Sequence, residues 1–81
     1  MRRKCMVTIQ KGDQDIQKGM EVYPTAWADV IMDTKGSRSE DSKVYEIDGE
    51  LIEVSGNRGC ISLKNGLLLS APLCCIRLTD M

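Results

Sequence analysis

The sequence contains no histidine and no phenylalanine, and its only aromatic residues are Tyr23, Trp27 and Tyr45. Without histidine the chain lacks the most frequent general base and the usual catalytic triads. Mixed cysteine and histidine zinc sites are excluded for the same reason. A core without phenylalanine must be built from aliphatic side chains and methionine, so the three aromatic residues stand out.

The four cysteines are Cys5, Cys60, Cys74 and Cys75, and no two of them have the Cys-x-x-Cys spacing of a zinc site. Adjacent cysteines are poor partners for a disulfide, and thiols in the cytosol stay reduced. We therefore predict free thiols, no metal and no other cofactor. On a strand, Cys74 and Cys75 would point to opposite faces, with Cys74 inside.

Long apolar runs and a charge excess are also missing. No run reaches the ~18 residues of a membrane span, and the N-terminus lacks the apolar segment of a signal peptide. Eleven basic against twelve acidic residues give a net charge of −1, which removes the global attraction to nucleic acid that a basic protein has. These features predict a cytoplasmic protein without membrane contact, and 81 residues predict a single domain.

Three turn signals separate apolar runs in the C-terminal half. They are Asp48-Gly49, the segment 56–59 and Asn65-Gly66, each with residues that favour hairpin turns. The spacing predicts strands joined by hairpins, with a two-residue turn at Asp48-Gly49 and a four-residue connection at 56–59. This register buries one apolar face that includes Tyr45, Ile47, Ile52, Val54, Ile61, Leu63 and Leu68.

The opposite face of this predicted sheet carries three leucines: Leu51, Leu67 and Leu69. One interpretation is that a loop or the N-terminal segment covers them, because exposed apolar clusters are uncommon on monomers. The other is that they form a surface that binds a partner protein or a second copy of the chain.

The segment "SAPLCCIRL" predicts a short 3₁₀ turn around Ala71 to Leu73, followed by a last strand with Ile76 and Leu78 inward. Hairpin-connected strands, a proline-containing turn and a short last strand resemble the SH3-like small-barrel superfold over residues 44–80. The resemblance is topological and carries no functional residues with it. It implies an all-β fold, a small SH3-like barrel or a twisted antiparallel meander, used for protein binding, nucleic-acid binding or assembly.

The N-terminal half is less regular. "CMVTIQ" predicts a first strand after a basic tip at residues 1–4, and "KGDQD" predicts a turn in which Asp13 and Asp15 are solvated. Residues 25–33 fit either an extended strand or a short helix. We predict the strand, whereas the helix would make the fold α+β. The polar run 33–43 predicts a mobile loop.

Catalytic motifs are absent, so we predict that the protein is not an enzyme. The first hypothesis is a protein-interaction module, acting as an adaptor, inhibitor or assembly subunit, or through homo-oligomers. Its candidate contact residues are Leu51, Leu67, Leu69 and Trp27.

Two other hypotheses use basic residues. A nucleic-acid-binding barrel would use a local patch formed by Arg38, Lys43, Arg58 and Lys64. An oligomer that binds a small molecule or nucleotide between subunits would use Arg58 as its anion contact.

Overall fold

A computed structural model describes residues 2–34 and 43–79 of the chain. The elements in these ranges are the strands β1 (Arg3–Gln10), β2 (Val44–Ser55), β3 (Arg58–Ser62), β4 (Leu68–Pro72) and β5 (Ile76–Leu78) and the helices α1 (Gln14–Val22) and α2 (Pro24–Met32). The strands form one antiparallel sheet in the order β4-β3-β2-β1-β5. Neither helix is long and apolar enough to cross a bilayer.

The predicted all-β fold is wrong, because two helices are inserted between β1 and β2 and make the fold α+β. The sheet is also open and does not close into a barrel. In the described residues β4 pairs only with β3, and β5 pairs only with β1. The alternative α+β prediction, with a helix near residues 25–33, agrees with α2.

Helix α1 starts where the sequence predicted only a solvated turn. The carboxylate of Asp13 accepts hydrogen bonds from the backbone N–H groups of Asp15 and Ile16, at 2.9 and 3.3 Å. This N-cap satisfies donors that have no partner inside the helix, and Asp15 adds a favourable negative charge to the first turn. The helix then buries Ile16 completely against the sheet.

Helix α2 replaces the strand predicted for residues 25–33. Pro24 occupies its first turn, where the missing N–H costs nothing. Trp27 and Val30 are buried and Ile31 is partly buried, which is the spacing of one helical face. Docking of this face on the core therefore selects the helix over the strand.

Strand β1 confirms the prediction for "CMVTIQ", with Cys5, Val7 and Ile9 buried and their neighbours more exposed. These three side chains share the inner face of the sheet with Ile47 and Ile61, and the helices cover that face. Among the described residues, the buried core consists of Cys5, Val7, Ile9, Ile16, Trp27, Val30, Ile47, Leu51, Ile61, Leu63, Leu67, Leu69 and Ala71.

The hairpin predicted at Asp48-Gly49 does not form, since β2 runs without interruption from Val44 to Ser55. Gly49 instead lies on the inner face, opposite Cys5. A Cβ atom at this position would lie 2.9 Å from the carbonyl oxygen of Ser62 and would also meet the side chain of Ile61. Glycine is thus needed here for close approach of β3, which is a recognised use of glycine inside a strand.

Of the two remaining predicted turns, the connection at 56–59 is tighter than predicted, and the strand after Asn65-Gly66 is shifted by one residue. Ser55 pairs directly with Arg58, so the connection contains two residues and not four, and its Gly56 has a φ of 61°. The turn at Asn65-Gly66 is confirmed, with φ values of 63° and 77°. However, Leu68 pairs with Ser62 and not with Leu63.

The 3₁₀ turn near the C-terminus spans Leu73–Cys75, two residues later than predicted. Cys74 and Cys75 therefore lie in this turn and not on a strand, and Cys74 is exposed instead of buried. Ile76 then starts β5 opposite Val7, partly buried as predicted, whereas the predicted inward side chain of Leu78 is 40% exposed.

Candidate functional site

The four residues predicted to contact a partner are core residues. Leu51, Leu67, Leu69 and Trp27 are each at most 8% exposed. The prediction of an exposed leucine face is wrong at Leu51 because β2 is continuous, so that Ile47, Gly49 and Leu51 share one face. The alternative, in which the N-terminal segment covers the leucines, is what the structure shows, since Ile16 of α1 and Trp27 of α2 belong to the same core cluster.

The basic residues of the nucleic-acid hypothesis do not form a patch in the described residues. Arg38 lies outside the described ranges, and Lys43 is exposed just before β2. Arg58 and Lys64 lie at opposite ends of β3, roughly 20 Å apart at the rise of a strand. Lys64 forms an ion pair with Asp33.

The outer face of the central strand is acidic. Glu46, Asp48 and Glu50 alternate along β2 on the face opposite to buried Ile47. Only Glu50 has a described ion pair, with Arg2 at 3.2 Å. A row of carboxylates at the middle of a sheet repels phosphate, so this face does not favour nucleic-acid binding.

A groove of about 690 Å³ separates β4 from the two helices. This volume lies within the range of ligand-binding pockets, about 300 to 1,000 Å³. Among the described residues that line the groove, Asp15 alone is charged. The lining residues are Asp15, Gly19, Tyr23, Ala26, Trp27, Asn65, Gly66, Leu67, Leu68, Leu69 and Ser70.

Two large apolar side chains at the groove are left exposed. Tyr23 sits at the junction of α1 and α2, where it ends one helix and starts the other, and it is 59% exposed. Leu68 is 61% exposed on β4. The amide of Asn65 donates to the carbonyl of Ala26 across a distance of 3.5 Å and links the β4 side to α2.

The wall formed by the helices depends on Gly19. A Cβ atom at this position would lie 2.8 Å from Cε2 of Trp27 and would also meet Nε1 of the same indole ring. The missing side chain therefore allows Trp27 to pack directly on α1. Trp27 is consequently fixed in position, buried in the core and bordering the groove at the same time.

Backbone hydrogen bonds between β3 and β4 alternate along the strands, and this alternation determines which backbone groups of β4 face away from β3. The N–H of Leu63 donates to the carbonyl of Leu67 at 2.8 Å, which makes these opposite residues a hydrogen-bonded pair. Such pairs alternate along an antiparallel ladder, so Leu69 and Ala71 also bond to β3. Leu68 and Ser70 must then direct their N–H and C=O groups away from β3.

These outward groups lie on the side of β4 that borders the groove, because the groove is lined by β4 but by no residue of β3. One of them already has a partner, since the guanidinium of Arg58 donates to the carbonyl of Ser70 at 3.2 Å. The site thus combines a strand edge to which no other strand of the described residues pairs, a recess and exposed apolar side chains. Pro72, which has no N–H, ends the edge.

Comparison of the chain with protein-family models, with curated proteins and with solved structures finds no match. Sequence reasoning missed Tyr23, Leu68 and Ser70 as site residues. Pro72 was the available signal, since a proline indicates that its strand lies at a sheet edge.

Proposed function

We propose that the protein binds an extended, largely apolar segment of a partner protein in the groove, as an additional strand beside β4. The observation that carries this proposal is the outward backbone of Leu68 and Ser70 next to a recess of about 690 Å³. An unpaired edge is a template for strand addition, in which main-chain hydrogen bonds supply affinity.

Side-chain contacts supply selectivity in this arrangement. Alternate residues of an added strand point to opposite sides. One set faces the helices and meets Tyr23, Ala26 and Trp27, which accept apolar side chains. The other set lies beside the exposed Leu68 on the outer face.

The charge of the groove defines one further preference. Asp15, in the first turn of α1, is its only charged lining residue in the described part of the chain. A partner segment with a lysine or arginine at the α1 end of the groove gains an attractive contact there. A segment with an acidic residue at that position is disfavoured by like charge.

A separate segment fits the groove better than a second copy of this chain. In a second copy, the same two helices line the groove beside β4. Two β4 edges could pair only if both pairs of helices leave room for it, whereas a single extended segment has to fit one groove.

Selection of a random twelve-residue peptide library on the immobilised full-length chain tests the proposal. The diagnostic variant is Leu68→Pro, which removes one outward N–H without removing a bond to β3. Leu67, the preceding residue, already has the extended backbone that a following proline requires, with φ −72° and ψ 146°. The matched control is Leu68→Ala, which shortens the side chain but keeps the N–H.

The proposal predicts selected peptides with alternating apolar residues that bind Leu68→Ala at least ten-fold better than Leu68→Pro. Circular dichroism establishes that both variants are folded. Equal binding to the two variants would show that the edge of β4 is not used. Association of the free protein into dimers that Leu68→Pro disrupts would favour self-pairing instead.

A further inference from the structure

The two adjacent cysteines near the C-terminus lie in a turn that is held at both ends. The N–H of Leu73 donates to the carbonyl of Asn57 at 2.9 Å, and the N–H of Ile76 closes the 3₁₀ turn onto the carbonyl of Leu73. Successive residues of a strand point to opposite faces, whereas a 3₁₀ turn rotates each residue by a third of a turn. The sulfur atoms of Cys74 and Cys75 consequently lie only 4.0 Å apart.

This geometry favours a bridging atom over a disulfide. Neighbouring Cα atoms are about 3.8 Å apart across a trans peptide, whereas disulfides need about 4.4 to 6.8 Å. By comparison, two thiolates bound at about 2.3 Å to one tetrahedral centre are about 3.8 Å apart, and a pyramidal trivalent centre brings them slightly closer. From the observed 4.0 Å, a small rotation of the two side chains is enough to bring the sulfurs to such a spacing.

The surroundings restrict the kind of centre that fits. In the described part of the chain no three metal-binding side chains come together, so a zinc cage with four protein ligands is not formed. The turn can instead bind an atom that takes two bonds from protein sulfurs and whose third bond is to an organic group that the ligand brings with it. Access is open, since Cys74 is exposed and Cys75 is partly exposed.

We infer that Cys74 and Cys75 form a bidentate site for soft, thiol-seeking electrophiles, of which trivalent organoarsenicals are the matching class. With phenylarsine oxide two As–S bonds form and the As=O bond breaks. The oxygen takes both thiol protons and leaves as one water molecule. Arsenic remains trivalent, so the step needs no oxidant or reductant.

Intact-mass spectrometry of the reduced full-length protein with one equivalent of phenylarsine oxide tests this site. The adduct is challenged first with a large excess of glutathione, a monothiol, and then with 2,3-dimercaptopropanol, a dithiol. We expect one arsenical per chain that survives glutathione and is removed by the dithiol. Cys74→Ser should lower the fraction retained in glutathione at least ten-fold, and Cys75→Ser should do the same.

Cys60→Ser is the matched control and should retain the adduct like the unmodified chain. Cys74 is exposed, so its replacement leaves folding unchanged, which circular dichroism checks. Retention of the arsenical by Cys74→Ser would overturn the inference, because the bound sulfurs would then lie elsewhere. Complete loss of the adduct from the unmodified protein in glutathione would also overturn it, because the two sulfurs would not act together.

Discussion

Replacement of Gly19 by alanine should improve the local helix propensity of α1 but disturb its packing against α2. Gly19 lies inside α1, where alanine is favoured over glycine by about 1 kcal/mol. The local expectation is therefore a more stable protein. The structure predicts the opposite, because a Cβ atom at position 19 would lie 2.8 Å from Cε2 of Trp27.

The size of the effect follows from how little space Trp27 has. The indole is 4% exposed and packs on Gly19, so it must shift to accept the new methyl group. Overpacking of this kind costs about 1 to 3 kcal/mol, and partial exposure of the displaced ring adds to the loss. After subtraction of the propensity gain, we expect the free energy of unfolding to fall by up to about 2 kcal/mol.

Urea denaturation followed by the fluorescence of Trp27, the single tryptophan, measures this change directly. Thermal unfolding should show a Tm lower by up to about 15 °C for a domain of this size. Gly12→Ala is the matched control, since a Cβ atom there meets nothing within 4 Å, and its stability should change by less than about 0.5 kcal/mol. A Gly19→Ala variant more stable than the original would refute the packing argument.

Three further predictions concern single residues. Asp13→Ala removes the N-cap of α1 and should lower the free energy of unfolding in urea by about 1 kcal/mol; no change would mean that the cap is unimportant. Leu69→Ser should cost about 2 to 5 kcal/mol because the side chain is buried, whereas the exposed neighbour in Leu68→Ser should change little; the reverse order would contradict the register of β4. Burial and the adjacent Cys74 raise the pKa of Cys75 although Arg58 acts to lower it, so iodoacetamide should modify Cys75 with a pH midpoint above that of a free thiol. Arg58→Ala should move that midpoint further upward, and a midpoint below that of a free thiol would be inconsistent with this environment.

The features that were predicted correctly from sequence depend on short-range signals. Alternation of apolar residues identified β1, and Asn65-Gly66 identified a turn because both residues tolerate positive φ. The same kind of signal failed at Asp48-Gly49. Glycine is required there by the approach of Ile61 and Ser62, which are distant in sequence.

The helices were missed for a different reason, because their apolar patterns are weak or ambiguous. Only Ile16 is fully buried in α1, so its apolar stripe is weak, although the cap residue Asp13 was a usable signal. In α2 the pattern around Trp27 fits two periodicities, and contact with the sheet decides between them. Local sequence therefore could not establish the α+β class.

The candidate site was the least predictable part, because segments far apart in sequence form it. Tyr23 and Leu68 border one groove although they are separated by most of the chain. A shift of one residue in the register of β4 exchanges buried Leu69 with exposed Leu68. The predicted exposure of Leu69 is wrong for this reason, and Leu68, which was predicted to be buried, is exposed.

Amide hydrogen exchange by NMR, with and without a peptide selected from the library, tests the central claim most directly. In the free protein the amides of Leu69 and Ala71 should be protected by β3, whereas those of Leu68 and Ser70 should exchange quickly. Strand addition predicts that the peptide slows exchange at Leu68 and Ser70 by at least ten-fold. Unchanged exchange at these two amides in the bound state would contradict strand addition at β4.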